Sequence, residues 1–188
     1  MLKISQKLIM LGMIFMLCTV LTVCAVASTY TSASAALFGG KESDEYTGDI
    51  ILSPGKLNHP APQDKIVTSA FGYRIHPVYG YRKFHTGIDL DGGPDYSPIV
   101  AAEDGKVVSA SYLGGYGNCI IISHDNKIWT LYAHLTKINV NVGSSVKRGQ
   151  HIGIKGTTGT STAQHLHFEV RVGSNTSSAA VNPAPWIK

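Results

Sequence analysis

The sequence predicts a mostly β domain built from antiparallel strands, with few or no long helices. Beyond residue 65, short apolar runs are separated by glycine-containing turns, which is typical of such a domain. No stretch keeps a 3.6-residue apolar period over about ten positions, as a long amphipathic helix would require. The length of 188 residues predicts one modest domain with additional segments.

Five segments have the length and pattern of β-strands, and the last of them is the clearest. In it, His165 and His167 alternate with Leu166 and Phe168, which predicts that both imidazoles project to one face while the apolar side chains enter a core. The connections between the first three segments are short, so these segments are predicted to be antiparallel neighbours in a meander. The five segments are residues 105–112, 119–124, 128–134, 151–154 and 165–172.

The amino terminus predicts export. Lys3 and Lys7 precede an almost wholly apolar run over residues 8–27, and the small residues that end it suit a signal peptidase. We therefore predict a signal peptide over residues 1–27, with cleavage after residue 35 as the alternative. The run is also about as long as a membrane-spanning helix, so an uncleaved anchor that holds the domain outside the cell is the other possibility.

The remainder divides into a linker and a domain. Residues 28–64 are rich in Ser, Thr, Ala, Gly and Pro and predict a flexible linker, whereas residues 65–187 carry the strand pattern of the domain. Cys18 and Cys24 lie in the leader, so only Cys119 remains in the mature chain and no internal disulfide can form. Cys119 opens an apolar run and is predicted to be a buried core residue.

Charge does not favour nucleic acid as a partner. The chain has 16 basic and 12 acidic side chains, and removal of Lys3 and Lys7 with the leader leaves 14 against 12. This excess is small, and the basic residues are scattered rather than gathered on one evident element. A membrane contact is expected only if the amino-terminal run stays as an anchor.

Several histidines and one aspartate have the chemistry of a metal site. His85 and Asp89 are four residues apart, and His165 and His167 share one face of a predicted strand. Imidazole nitrogens and carboxylate oxygens are common zinc ligands, four in a closed structural site and three with a water in a catalytic one. Spacing alone leaves both kinds of site possible, and it does not separate zinc from other metals that imidazole binds.

Four motifs then give the chain a family resemblance. The segments 71–77 (FGYRIHP), 85–89 (HTGID), 132–135 (YAHL) and 165–169 (HLHFE) resemble those of the lysostaphin-type zinc endopeptidases, which cut peptidoglycan peptides. The resemblance covers about residues 66–186, and the motifs occur in the order that the family has. It implies antiparallel sheets that form a groove, in an architecture related to the biotinyl and lipoyl hybrid-motif barrel.

The resemblance also implies individual roles. His85, Asp89 and His167 would bind one zinc ion, while His134 and His165 would stand beside the open coordination position as catalytic residues. The chain lacks the His-Glu-x-x-His motif, in which a glutamate is the base, so imidazoles must do this work. One departure is Ala163-Gln164, where the family often has glycine and proline, which bears on loop shape more than on the metal.

The predicted function is therefore that of a secreted zinc endopeptidase acting on peptide cross-links or stem peptides of the bacterial cell wall. The alternative is a catalytically inactive module of the same fold that binds wall peptides or activates a hydrolase. The turns at residues 99–105 and 146–150 also resemble those of biotinyl and lipoyl carrier domains, but no matching lysine motif is present. We take that likeness as one of architecture only.

Overall fold

A computed structural model describes residues 54–188, and within this range the protein is mostly β. Two single-turn 3₁₀ helices, Gly114–Tyr116 and Ser177–Ala179, interrupt the strands. The strands are β1 (Ile66–Ser69), β2 (Gly72–Ile75), β3 (Arg82–His85), β4 (Ile88–Asp91), β5 (Pro98–Val100), β6 (Gly105–Tyr112), β7 (Asn118–His124), β8 (Ile128–Leu135), β9 (Lys137–Ile138), β10 (Ser145–Val146), β11 (His151–Ile154), β12 (Leu166–Val172) and β13 (Ala180–Val181).

The strands form one large sheet and two small ones. The large sheet has the order β1-β4-β12-β8-β7-β6-β10, with β13 added beside β12. A second sheet has the order β5-β11-β9, and β2 pairs with β3 as a separate hairpin. All of these pairings are antiparallel, which confirms the predicted fold class and the meander of β6, β7 and β8.

The five predicted strands correspond to β6, β7, β8, β11 and β12, with bounds that agree within one residue. β12 differs from its sequence pattern in burial, because strict alternation of polar and apolar residues predicts a strand with only one buried face. Leu166 and Phe168 are fully buried as predicted, but Glu169 and Arg171 on the other face are buried too. The reason is that these two side chains form an ion pair with each other under a loop, so the polar face is covered rather than solvated.

The packed part of the chain begins earlier than the predicted boundary at residue 65. Leu57 and Ala61 are fully buried in the main core, and Leu57 forms a bridge with Ile187 near the other end of the chain. Asp64 is also fully buried, where it pairs with the buried ammonium of Lys155. The prediction of a flexible linker is therefore wrong for residues 57–64, because a polar, proline-rich composition does not reveal these long-range contacts.

The prediction for Cys119 is confirmed, whereas the predicted leader cannot be compared with the described residues. Cys119 is fully buried and free, as predicted, and burial raises the pKa of its thiol to about 12. The predicted signal peptide over residues 1–27, and residues 28–53 of the predicted linker, lie outside the residues that the structure describes. Within residues 54–188, no helix combines the length and apolar character needed to span a bilayer.

Candidate metal centre

Adjacent strands place three of the predicted site residues together. β4 and β12 are antiparallel neighbours, and Asp89 and His167 are directly opposite each other in their register. His85 is the last residue of β3, one short turn before β4 begins. The intervening Gly87 is required by space, because a Cβ there would lie 2.8 Å from the His167 ring. This close approach explains the glycine in the His-Thr-Gly motif.

The three side chains direct their donor atoms at one another. His85 Nε2 lies 3.1 Å from Asp89 Oδ1 and 2.9 Å from His167 Nδ1, and His167 Nδ1 lies 3.0 Å from Asp89 Oδ1. All three residues are at least nine-tenths buried. They are the group that could hold a metal ion among the described residues.

Hydrogen bonds on the far side of each ring determine which nitrogen carries the proton. His85 Nδ1 donates to the carbonyl of Ala70 at 2.8 Å, and His167 Nε2 donates to Glu169 Oε1 at 3.0 Å. When both rings are neutral, the nitrogens that face the cluster therefore present lone pairs, next to a carboxylate oxygen. Three electron-rich atoms at this spacing repel one another unless a proton or a metal ion lies between them, so the donor set fits a zinc-type ion.

Glu169 is the centre of a buried hydrogen-bond network behind His167. Besides the imidazole, its carboxylate accepts hydrogen bonds from Tyr116 Oη at 2.7 Å, from Arg171 Nε at 2.8 Å and from the Thr86 hydroxyl. Burial would raise the pKa of Glu169, but His167 and Arg171 lower it to about 2, so the group is ionised. A fully buried carboxylate with this many donors holds His167 in one orientation and tautomer.

The second oxygen of Asp89 points to Arg74. Arg74 Nη2 lies 3.3 Å from Asp89 Oδ2, so the carboxylate bridges the guanidinium and the imidazole pair. Burial opposes ionisation of Asp89, but hydrogen bonds from His167 and His85 outweigh it and hold the pKa well below its usual range. The carboxylates of Asp89 and Glu169 raise the pKa of His167 to about 9 against the effect of its burial, so a proton can lie between His167 Nδ1 and Asp89 where a metal ion would otherwise lie. Both shifts indicate a site that stabilises positive charge.

The other two predicted residues, His134 and His165, stand beside this cluster. Their ring centroids are 4.8 Å apart, and His165 Nε2 lies 3.6 Å from Asp89 Oδ1. His134 Nδ1 donates to the carbonyl of Thr158 at 2.8 Å, and His165 Nδ1 donates to that of Ala163 at 2.9 Å. Both Nε2 atoms are therefore free to accept a proton. Burial lowers the pKa of both imidazoles, that of His134 to about 4.

His134 has an unusual backbone. Its φ is 61°, in the left-handed region that residues with a side chain rarely adopt. The residue lies near the end of β8, where this conformation turns the imidazole toward the cluster and its carbonyl toward Thr158 N, 3.4 Å away. Strained conformations of this kind are concentrated at functional sites, and nothing in the local sequence pattern reveals this one.

The cluster lies between two cavities of an open groove. The larger, about 460 Å³, has Arg74, Lys83, Tyr116 and His167 in its wall, and we call it the basic cavity. The smaller, about 330 Å³, has Thr68, Ser161, Thr162 and Asp91 in its wall, and we call it the hydroxyl-lined cavity. His134 lines both, as does Arg74. A peptide chain laid in the groove would therefore cross the metal cluster.

Four tyrosines of the domain differ in their positions relative to the groove. Tyr116 lines the basic cavity, but Tyr132 is fully buried and accepts a hydrogen bond from the backbone of Ala102. Tyr81 and Tyr112 are exposed and line neither cavity. Sequence reasoning did not anticipate the role of Glu169 as the partner of His167. Its position two residues after His167 on the same strand face was the available signal.

Arg74 and Asn118 have structural partners beside the site. The ion-pair partner of Arg74 is Asp89, a predicted metal ligand. Asn118 has a backbone role, because its side-chain amide donates to the carbonyl of Leu135 at 3.0 Å. His124 is buried between the carbonyl of Asp104 and the Thr130 hydroxyl, far along the meander from the cluster.

The described residues form an antiparallel β domain with a His-Asp-His cluster on the floor of an open groove, which is the arrangement expected of a metal-binding domain. Comparison with known proteins identifies the family of this domain. The family model "Peptidase family M23" matches residues 83–183. The chain belongs to this family.

Two relatives and one solved structure illustrate the likeness. The DD-carboxypeptidase/endopeptidase Mpg of Neisseria meningitidis is 39% identical over 125 residues, which cover 66% of this chain and 29% of that protein. The glycyl-glycine endopeptidase ALE-1 of Staphylococcus capitis is 40% identical over 141 residues, which cover 74% of this chain and 39% of that protein. A zinc-containing peptidase from Vibrio cholerae superimposes with a TM-score of 0.59 at 37% identity, covering 69% of this chain and 39% of that one.

Proposed function

We propose that this protein is a zinc-dependent endopeptidase that hydrolyses peptide cross-links or stem peptides of bacterial peptidoglycan. The observation that carries the proposal is the convergence of His85 Nε2, Asp89 Oδ1 and His167 Nδ1 in an open groove, with two further imidazoles beside them. Membership of the peptidase family supports it. The chain spans only 29% of the Neisseria relative, so the substrate is carried over by likeness of the matched domain.

In this proposal His85, Asp89 and His167 hold one zinc ion. Bound there, zinc would polarise the scissile carbonyl and lower the pKa of a water molecule, so that hydroxide is available near neutral pH. Glu169 and the carbonyl of Ala70 keep the two imidazoles in the tautomer that binds a cation. Arg74 neutralises the carboxylate oxygen of Asp89 that is turned away from the cluster.

His134 and His165 carry the proton transfers. Each has its Nδ1 hydrogen bonded to a backbone carbonyl, so each presents Nε2 to the groove. Both imidazoles can accept the proton of the attacking water at Nε2 and, once protonated, deliver it to the leaving amine. Their lowered pKa values keep both rings neutral at pH 7, which is the state that can accept a proton.

The substrate implies a location. Peptidoglycan lies outside the cytoplasmic membrane, so the proposed activity requires export of the domain. The predicted leader over residues 1–27 supports this, either as a cleaved signal peptide that gives a secreted enzyme or as an anchor that keeps the domain at the membrane surface. The molecular mass of the exported protein would distinguish the two.

The proposed function is tested by measuring metal content and wall digestion together. We expect His134→Ala and His165→Ala to retain one zinc per chain and to lose activity by about 100-fold or more, because they remove a proton carrier and no ligand. Asp89→Ala and His167→Ala should lose both. His151→Ala is the matched control, since His151 is exposed on β11 and lines neither cavity.

Two results would contradict the proposal in different ways. A zinc-free protein with full activity would remove the metal from the mechanism. A zinc-loaded protein that binds wall peptides but cuts none of several muropeptides would support the inactive binding or activating module instead.

A further inference from the structure

The hairpin of β2 and β3 is strongly basic. Residues 72–85 include Arg74, Arg82 and Lys83 and contain no aspartate or glutamate. The hairpin borders the groove, since His85 at its end belongs to the metal cluster. It therefore brings positive charge to the edge of the site, and of its three cations only Arg74 has a carboxylate partner among the described residues.

Two of these cations share the face of the hairpin that carries His85. Arg74 and Lys83 are directly opposite each other in the β2–β3 register, and Gly72 is opposite His85 two positions away. Side chains at alternate positions of a strand project to the same side, so Arg74, Lys83 and His85 share one face. Like charges directly opposite each other across two strands destabilise a hairpin. A bound anion would relieve this repulsion.

The basic cavity contains both cations and no carboxylate. Arg74 and Lys83 are in its wall, and none of its lining residues is aspartate or glutamate. Within residues 54–188 Lys83 forms no ion pair, and Arg74 uses only Nη2 on Asp89, at a long 3.3 Å. Burial, then Lys83 and Arg74, lower the pKa of the adjacent His76, which is consistent with positive potential here.

The opposite half of the groove has a different character. The hydroxyl-lined cavity contains Asp91 and the side chains of Thr68, Ser69, Ser161 and Thr162. Arg74 lines this cavity as well, but Lys83 does not. The groove is thus asymmetric in charge about the metal cluster, because Lys83 lies on one side only and Asp91 on the other, and a substrate with a carboxylate on one side of its scissile bond would bind in one direction.

We propose that Arg74 and Lys83 bind a carboxylate of the substrate peptide in the basic cavity, so that this protein prefers acidic stem peptides to uncharged glycine bridges. The inference rests on the proposed function, and it adds the chemistry of the substrate. It matters because the relatives differ: the name of one specifies glycyl-glycine bonds and that of another a DD-carboxypeptidase and endopeptidase.

The test compares peptides that differ only in charge. The probes are a cross-linked stem-peptide dimer with free side-chain carboxylates, the same dimer with these groups amidated, and pentaglycine. We expect the zinc-loaded wild type to cut the free dimer with a kcat/KM about tenfold above that of the amidated dimer, because a charge-assisted hydrogen bond is lost on amidation. The preference should shrink as salt is added, since Lys83 is exposed.

The variants of Lys83 then identify the group responsible. Lys83→Met should bring the ratio of the two rates close to one, Lys83→Glu should invert it, and Lys83→Arg should restore the preference. Lys106→Met is the matched control, because Lys106 is an exposed lysine on β6 and lines neither cavity. It should leave both rates unchanged.

The outcomes separate this inference from the proposed function. Equal rates on the free and amidated dimers, or a ratio that Lys83→Met does not alter, would overturn the inference while the endopeptidase stands. If the wild type cuts no probe, the proposed function fails. Equilibrium binding of the same dimers then decides the inference, which requires tighter binding of the free form and loss of that difference in Lys83→Met.

Discussion

At the scale of single residues, the site depends on which nitrogen of each ring is protonated. His85 and His167 both use their far nitrogen to donate to a fixed acceptor, a carbonyl in one case and the carboxylate of Glu169 in the other. The resemblance assigned the three candidate ligands from the sequence. It did not reveal the acceptors, because Ala70 and Glu169 act through contacts that no short motif encodes.

Glu169→Gln tests whether the hydrogen-bond acceptor behind His167 supports metal binding. An amide accepts a weaker hydrogen bond from His167 than a carboxylate does, so we expect zinc affinity to fall by about 10- to 100-fold. The measurement is competition with a chelator of known affinity. Glu103→Gln is the control, since Glu103 pairs with Arg148 and lines neither cavity. Wild-type affinity in Glu169→Gln, measured on folded protein, would show that the network does not support the metal.

At the scale of elements, β12 organises the site. β4 lies on one side of it and β8 on the other, so Asp89, His167 and the strand that carries His134 are neighbours in one sheet. The sequence of β12 alternates polar and apolar residues, and this alternation predicted correctly that Leu166 and Phe168 are buried. Burial of the opposite face was not predicted, because it results from loops that cover Glu169 and Arg171.

In the segment before β1, composition predicted a flexible linker and gave no sign of the buried ion pair of Asp64. Lys155, directly after β11, is fully buried between Asp64 and Asp91, and its Nζ lies 2.7 Å from Asp91 Oδ1. Burial disfavours the ammonium, but the two carboxylates outweigh it and raise the pKa of Lys155. This ion pair joins residues 91 positions apart in the chain, and local sequence carries no signal for such a contact.

Lys155→Met should destabilise the domain strongly. It leaves the buried carboxylate of Asp64 without its counter-ion, and breaking a buried pair in this way costs about 3–5 kcal/mol in the free energy of unfolding. Denaturant unfolding measures the loss. The double variant Lys155→Met with Asp64→Asn should recover part of it, whereas Lys147→Met, at an exposed pair with Asp104, should have little effect. Equal stabilities for the two lysine variants would contradict a structural role for the buried pair.

At the scale of the whole molecule, the candidate metal centre joins segments that are distant from each other in the chain. His85 and His167 are 82 residues apart. When both rings are neutral, His85 Nε2 and His167 Nδ1 repel each other in the absence of a cation. An ion bound to the folded state alone stabilises that state by mass action. Metal binding and folding of the domain are therefore expected to be coupled.

Zinc should accordingly raise the melting temperature. At a free concentration about 100 times the Kd, the folded state gains about 2.7 kcal/mol, which corresponds to a rise of several degrees for a domain of this size. Scanning calorimetry with and without a chelator measures the shift. Asp89→Ala should abolish it, and Asp125→Ala, in the exposed turn between β7 and β8, should retain it. A shift of equal size in Asp89→Ala would place the zinc elsewhere.

The sequence by itself determined five of the thirteen strands in residues 54–188 and the types of side chain available for chemistry, because side-chain alternation and short turns are local properties of the chain. It also left open whether four donors close the site or three leave it accessible. Only the tertiary structure decided how the donors meet: the β4–β12 register sets Asp89 against His167, while His165 Nε2 stays 3.6 Å from Asp89 Oδ1. Strand register and the packing of distant segments depend on contacts between residues far apart in the chain, which neither composition nor periodicity specifies.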